Sequence, residues 1–520
     1  MGGEVMEDSS GKRANDNKDS KSLKDDIGKY ALTKSLKENI ELFKDNILKS
    51  HDTVIYREFK NKNTALKFCL IFIDGMTDRE IINENVIYPL MTDPFNIESK
   101  DMIDYIKEEV LIIDDLSESS KVEKILKLLL YGDTLLLIED FDEGIILNTK
   151  SWETRSISEP QSETVVKGPR EGFNESLNIN MSLIRRRINS PNLKFEIQEI
   201  GVRTSTRVCI GYVEGIVNPK ILKELKLRLD KIDIEGFFSS GTLQEFINDR
   251  PLSPFKTIGN TERPDVAASK LLQGRIIILC DGSPTVLTLP FLFIENFQIN
   301  EDYYESFIYA SINRILRLIA FILTISTPGV YIAFVAFHKE LIPTKLALSI
   351  YVSKQGVPLP TVVETLLMII IFEIIREAGL RLPKHIGGTV SIVGALVLGD
   401  AAVNAKFVSA PIVIVTAIAG ICGLILYEMN AGIIVSRLIF LILGSILGLY
   451  GVVFTLMGLV IHLMSLKSFG IPYMMKLIDL DKYNIRDSSI RAPWWILKYR
   501  TEFIAKDEVR SKDYIKRRYK

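Results

Sequence analysis

The hydrophobic pattern of the chain changes character once. Up to about Glu305, apolar residues come in short runs between dense charge. From Ile315 to Leu466 the runs approach the roughly 20 residues a helix needs to cross a bilayer. This pattern predicts an N-terminal region of α/β class followed by a polytopic α-helical membrane domain.

Within the polar N-terminal region a succession of elements recurs. "CLIFIDGMTDREIINENVIYPL" from Cys69 and "VCIGYVEGIVNPKILKELKLRL" from Val208 each read as a short apolar strand followed by an acid-glycine pair (Asp74-Gly75, Glu214-Gly215). Asp78 or Asn218 then opens an amphipathic helix, because its side-chain oxygen accepts a free N–H of the first turn. Further on, "LLLYGDTLLLIEDFDEGIIL" and "LLQGRIIILCDGSPTVLTL" each read as a helix end, a glycine, a strand, a turn and a strand. Two duplicated α/β subdomains are expected, at 35–150 and 174–290, joined by a polar, turn-rich linker at 151–173. Residues 1–34 form a polar lead expected to be disordered, without the apolar core of a cleavable signal peptide, which leaves the subdomains in the cytoplasm.

The segment "TERPDVAASKLLQG" is expected as the last helix of the second copy, with Thr261 as cap and Pro264 in the first turn, where a missing N–H costs little. Glu262, Arg263, Pro264 and Asp265, with Arg170 and Glu171 of the linker region, are assigned to packing or interdomain contact rather than catalysis. "KGPREGF" lacks the G-K-[ST] ending of a phosphate loop.

Candidate spans in the membrane domain, 291–466, are Ile315–Phe337, Val362–Ile375, Ile386–Ala405, Phe407–Tyr427 and Ile433–Leu466, giving five or six helical segments. "TVLTLPFLFIENF" is too short to cross and reads as an interfacial or re-entrant piece. The last span would be roughly 50 Å long as one helix, so Gly444, Gly448 and Gly451 mark a bend or a reversal. A reversal puts the basic tail, 467–520, on the side of the N-terminal region, and a single tilted helix puts it opposite. Arg376, Arg381 and Lys384 fall on the cytoplasmic side if the N-terminal region does, as basic loops prefer.

Ionisable groups in such spans are costly in hydrocarbon and face protein or water. Glu364, Glu373, Arg376 and Glu377 form a charge network expected either to hold helices together or to serve a pathway. In "IGGTVSIVGALVLGDAAVNA", Gly387, Ser391, Ala395 and Gly399 recur every four residues as a ridge for close helix packing. The opposite face carries Val393, Val397, Asp400 and Asn404, candidate pore-lining residues if several copies surround an axis. The same helix would also suit the interior of a monomeric bundle.

Composition narrows the chemistry. Hydrophobic residues make up 47% of the chain and charged ones 25%, with a formal net charge of -1, which gives no footprint for nucleic acid. Cys69, Cys209, Cys280 and Cys422 lie apart in apolar runs, so no disulfide or zinc site is expected, and the four histidines have no metal-ligand spacing. No nucleophile, metal or phosphate site supports an enzyme, and no cofactor is implied.

Four separated motifs carry a resemblance: "KGPREGFNESLNINMSLIRRRI", "PFKTIGNTERPDVAASKLLQGR", "ETLLMIIIFEIIREAGLRLP" and "SIVGALVLGDAAV". Together they resemble the A subunit of the Ger-type spore germinant receptors, the GerA family. The resemblance implies an integral protein of the spore inner membrane that works with a permease-like B subunit and a lipoprotein C subunit. It also implies a homo-oligomer, such as a pentameric ring, that opens as a nutrient-gated channel for monovalent cations. Asp400 and Lys406 stand where the family pattern carries uncharged residues, commonly Gln and Gly, so the field near a pore would differ. A subunit similar to the stage V sporulation protein AF, without its own nutrient, and a secondary transporter are the alternatives.

Overall fold

The computed structural model describes residues 30–49, 51–64, 66–95, 102–151, 163, 167–381, 399–475, 487–497, 500 and 503–506. The chain divides into two compact units. The first holds the chain up to Ile247, Gly259–Leu289 and Arg500–Arg510; the second holds Asn248–Ile258, Pro290–Tyr499 and Ser511–Lys520.

The first unit contains two five-stranded sheets. Strands β1 (Val54–Lys60), β2 (Lys67–Ile73), β3 (Leu116–Ser119), β4 (Thr134–Ile138) and β5 (Gly144–Leu147) stand in the order β1-β2-β4-β5-β3. Strands β6 (Leu193–Ile200), β7 (Thr206–Val213), β8 (Gly259–Thr261), β9 (Ile276–Cys280) and β10 (Val286–Leu289) stand in the order β6-β7-β9-β10-β8, the same order position for position. Every pairing is antiparallel; short hairpins require it for β1–β2, β4–β5, β6–β7 and β9–β10, whose strands are consecutive.

Strand β2, "KFCLIFI", is buried at every position but Lys67, because helices cover both faces of its sheet. On one face, Phe43 and, from α4 (Val122–Leu129), Ile125 and Leu126 pack with Cys69 and Ile71; α1 (Leu36–Glu41) adds Leu36. On the other, Val86, Leu90 and Ile106 pack with Phe68 and Leu70. Each such side chain contributes about 1.5–3 kcal/mol by leaving water. Asp78 caps α2 (Arg79–Ile81) by accepting from the Glu80 and Ile81 N–H groups. Asn218 caps α6 (Pro219–Leu229) through Lys220 N–H. Between them in sequence lie α3 (Met102–Tyr105) and α5 (Leu177–Arg187), and after them α7 (Ser240–Ile247). Helix α8 (Pro264–Leu272) begins at Pro264, but Thr261 is the last residue of β8 rather than its cap; its Oγ1 accepts from Arg263 N–H at 3.1 Å.

The second unit is a helical bundle: α9 (Phe307–Ile332), α10 (Thr344–Lys354), α11 (Thr361–Arg381), α12 (Ala410–Ile425), α13 (Asn430–Leu447) and α14 (Leu449–Ser465), with residues 399–404 also helical. The stretches Phe307–Phe337 and Tyr427–Leu447 are long and apolar enough to cross a membrane. The piece expected to be interfacial is divided: Val286–Leu289 is strand β10, and Phe293–Phe297 is a 3-10 turn buried among Phe255, Phe321 and Tyr473. The loop at 248–258, expected inside the second α/β copy, joins the bundle because the Phe255 ring fills the space over Gly432.

The long last span is two helices. Gly448, at φ 63° and ψ −139°, adopts a backbone that side chains other than hydrogen disfavour, and α14 turns back against α13 there. The turn lies at the far end of α9: a Cβ on Gly448 would stand 3.0 Å from Phe337 Cβ. Beyond α14 the chain is back at the near end, where Tyr473 O accepts from Phe293 N–H at 3.0 Å. Here Asp302 and Asp487 both bond the buried Arg314 at 2.9 Å, fastening residues of the tail to the start of α9.

Candidate functional site

Midway through the bundle a charged side chain is enclosed by four helices. Arg437 of α13 is 3% exposed, and its Nη1 lies 3.0 Å from Glu373 Oε1 of α11. Its Nε donates to Thr324 O and its Nη2 to Thr324 Oγ1, both at 3.1 Å, and the Thr324 hydroxyl of α9 donates onward to Ala419 O of α12. Gly423 leaves the room this needs, since a Cβ there would stand 3.1 Å from Thr324 Oγ1. A guanidinium suits such a node because its planar fork reaches a carboxylate and a carbonyl at once. Arg376 pairs with Glu373 from one turn along α11 and reaches Asn430 Oδ1 at 3.4 Å. A largely apolar groove of about 530 Å³, lined by Leu366, Ile370, Ile374, Leu438 and the Glu373–Arg437 pair, opens beside it.

Of the four charges expected to form a network, Glu373 and Arg376 are brought together. Glu377 is not: it pairs with Arg381 at 2.7 Å on an exposed face. Glu364 is also apart, toward the end of the bundle where α11 begins. Its buried carboxylate accepts from Ser409 N–H at 2.9 Å, at the start of α12, and lies 4.0 Å from Lys354 Nζ. A carboxylate there meets the positive end of the helix, which favours its charge. Arg437 was missed in sequence, although one basic residue inside "GIIVSRLIFLIL" is the signal that would have found it.

For the two-faced helix, Gly387, Ser391, Val393, Ala395 and Val397 lie outside the described residues. Among the described ones, Gly399 is buried, with Val413 Cγ1 of α12 3.6 Å from where its Cβ would be, while Asp400 and Asn404 are exposed.

In the first unit, Arg263 and Asp265 form a buried bidentate pair at 3.1 and 2.8 Å at the start of α8. Arg263 Nη2 also donates to Pro169 O at 3.1 Å, and Glu262 O accepts from Phe173 N–H at 2.8 Å, so the motif fastens the segment before α5 to α8. Pro264 is the first helical residue. Glu171 pairs with Arg187 at 2.5 Å, and Arg170 is exposed beside it on a polar cleft lined also by Tyr131 and Arg186. The joint between the two sheets was not foreseen. Arg185, fully buried, donates to Thr53 Oγ1 at 3.1 Å, Lys194 donates to Lys49 O at 2.6 Å, and His51 Nε2 lies 2.9 Å from Pro191 O. Burial, then the charges of Arg185 and Lys194, push the His51 imidazole down from 6.5 to about 3. Among the described residues no cluster of side chains could hold a metal ion.

The family described as Bacillus/Clostridium GerA spore germination protein matches residues 41–503. The chain is 40% identical to spore germination protein KA of Bacillus subtilis (strain 168), over 92% of this chain and 88% of that one. It is 36% identical to spore germination protein GerLA of Bacillus cereus, over 91% and 96%. It is 37% identical to the uncharacterized membrane protein YfkQ of Bacillus subtilis (strain 168), over 90% and 91%. Among solved structures, the N-terminal domain of the A subunit of the Bacillus megaterium spore germinant receptor GerK3 matches with 30% identity and a TM-score of 0.41, covering 51% of this chain and 97% of that one.

Proposed function

The chain belongs to the GerA family of spore germination proteins, and from that premise we propose that it is the A subunit of a spore germinant receptor and forms an oligomeric, nutrient-gated channel for monovalent cations. Its partners are a permease-like B subunit and a lipoprotein C subunit, and several copies assemble as a ring. The protein resides in the spore inner membrane, with the two α/β subdomains, related by duplication, on the cytoplasmic side.

The bundle crosses the membrane several times, an even number in all. This is supported by the start of α9 and the chain beyond α14 meeting at one end, through the Asp302, Arg314 and Asp487 contacts. The C-terminal segment then shares the cytoplasmic side with the subdomains.

The observation that carries the channel reading is the division of the helix at 399–404 into a buried Gly399 and an exposed Asp400 and Asn404. An exposed carboxylate favours water or a cation over lipid. The sequence period assigns Val393 and Val397 to the same stripe, and in this reading they gate the pore by dewetting. Replacing either by Ala is expected to give premature cation release from spores; normal ion retention and germination in both variants would refute the pore-face assignment. A transporter would work as a monomer, so a monomeric detergent-solubilised complex would count against the ring.

A further inference from the structure

The two α/β subdomains differ in what fills one edge. In the first, the turn after β2 pairs with the chain just beyond β5: Thr77 bridges Lys150, Asp78 N–H donates to Thr149 O at 2.9 Å, and Ser151 N–H donates to Met76 O at 3.1 Å. In the second, the chain beyond β10 leaves for the bundle at Pro290, so the matching edge at Ile216–Asn218 has no adjacent segment to receive.

Residues from more than two hundred positions downstream occupy it. Ala505 bridges Val217, Lys506 N–H donates to Ile216 O at 2.8 Å, and the Asn218 side-chain amide donates to Phe503 O at 2.8 Å. Arg500 Nε donates to Leu272 O at 2.8 Å. The Lys506 bond repeats the Ser151 bond of the first subdomain. Ile504 is 1% exposed and so acts as an apolar anchor. Gly274 (φ 89°) lets the strand approach: a Cβ on it would lie 2.7 Å from Ala505 Cβ. The slot therefore selects a short segment that turns at Phe503 (φ 64°) and Ile504 and presents a buried branched residue followed by a small one that bridges Val217, read mostly through the backbone.

We infer that this edge is a peptide-docking slot, that Phe503–Lys506 of the same chain is its resident occupant, and that the occupant is a releasable strap. In the first subdomain the equivalent strand follows β5 directly and is held by its own sheet. Here the strap is tied to the subdomain by one anchor and a few backbone bonds, while its other end is covalently continuous with the last membrane helix. The inference goes beyond the channel reading and needs neither ion flux nor a nutrient to be tested.

The test is thiol labelling of the full-length protein in detergent, read at each site by mass spectrometry of peptides. The chain supplies its own references, since Cys209 and Cys280 are core residues at 0% and 1% exposure. The thiol introduced by Ala505→Cys is expected to react with a maleimide at least tenfold more slowly than the same thiol in an Ile504→Asp background, yet to completion without denaturant. Cys209 and Cys280 stay unlabelled in both, which shows that the fold survives. Equal rates in the two backgrounds would overturn docking. An introduced thiol as inert as Cys209 and Cys280 would overturn release. Trypsin cleavage after Lys506 in the chain without introduced cysteines, slow in the parent and at least tenfold faster in Ile504→Asp, reads the same equilibrium if Ala505→Cys disturbs the contact with Gly274.

Discussion

The two partners of the mid-bundle ion pair are predicted to be unequal. Replacing Glu373 by Gln keeps an acceptor oxygen for Arg437 but removes its countercharge, leaving a permanent charge, 3% exposed, with only neutral acceptors: the new amide oxygen and the carbonyl and hydroxyl of Thr324. Replacing Arg437 by Met leaves Glu373, 21% exposed, still paired with Arg376. Breaking a buried pair from one side costs about 3–5 kcal/mol. Glu373→Gln should therefore fall in that range, and Arg437→Met nearer about 2 kcal/mol after allowing for the surviving partner and partial solvent access. The double variant should cost no more than Glu373→Gln alone, because the stranded charge is gone, so the two losses are strongly sub-additive. Thermal unfolding of the full-length protein in detergent would read this as a fall in Tm of about 2–4 °C per kcal/mol. Additive losses, or a larger loss for Arg437→Met than for Glu373→Gln, would refute the arrangement of partners proposed for Arg437.

Two further outcomes follow from the geometry. His51 titrates near 6.5 when unfolded and near 3 when folded. The unfolded chain thus binds the extra proton, and stability present above pH 6.5 is lost as pH falls toward 3. Between pH 7.5 and 5.0 the first unit should lose about 2 kcal/mol, a loss absent in His51→Gln, which keeps a donor toward Pro191 O; equal pH dependence of chemical unfolding in the two proteins would exclude His51 as its source. Gly448→Ala should destabilise the α13–α14 hairpin by about 1–3 kcal/mol, seen as a lower Tm, whereas Gly458→Ala, where a Cβ meets open space, should leave the Tm nearly unchanged.

Much of the protein was legible from sequence because local rules carry it. Asp78 and Asn218 announce helix starts by side-chain chemistry that acts within three residues. The repeated strand, acid-glycine and helix succession predicts elements that stand in the same order in both sheets. Apolar run length marks the bundle, and Gly444, Gly448 and Gly451 mark a bend or a reversal in a span too long to cross once; the structure makes the reversal at Gly448. Helix α10 was missed because its apolar residues follow no helical stripe and none of its residues is buried.

What sequence alone determined were properties set by neighbours along the chain: caps, turns, periodicity and the polarity of whole segments. The tertiary structure decided which distant groups meet. Nothing near Glu373 in sequence announces Arg437 as its partner, since that meeting is made by which helices pack through Thr324 and Gly423. Nothing near Ile216 announces that Ala505 will complete its edge. A buried charge and an unpaired turn backbone each demand a partner, because an unmet charge or backbone amide out of water is costly. Sequence states that demand, and only the folded chain shows which residue answers it.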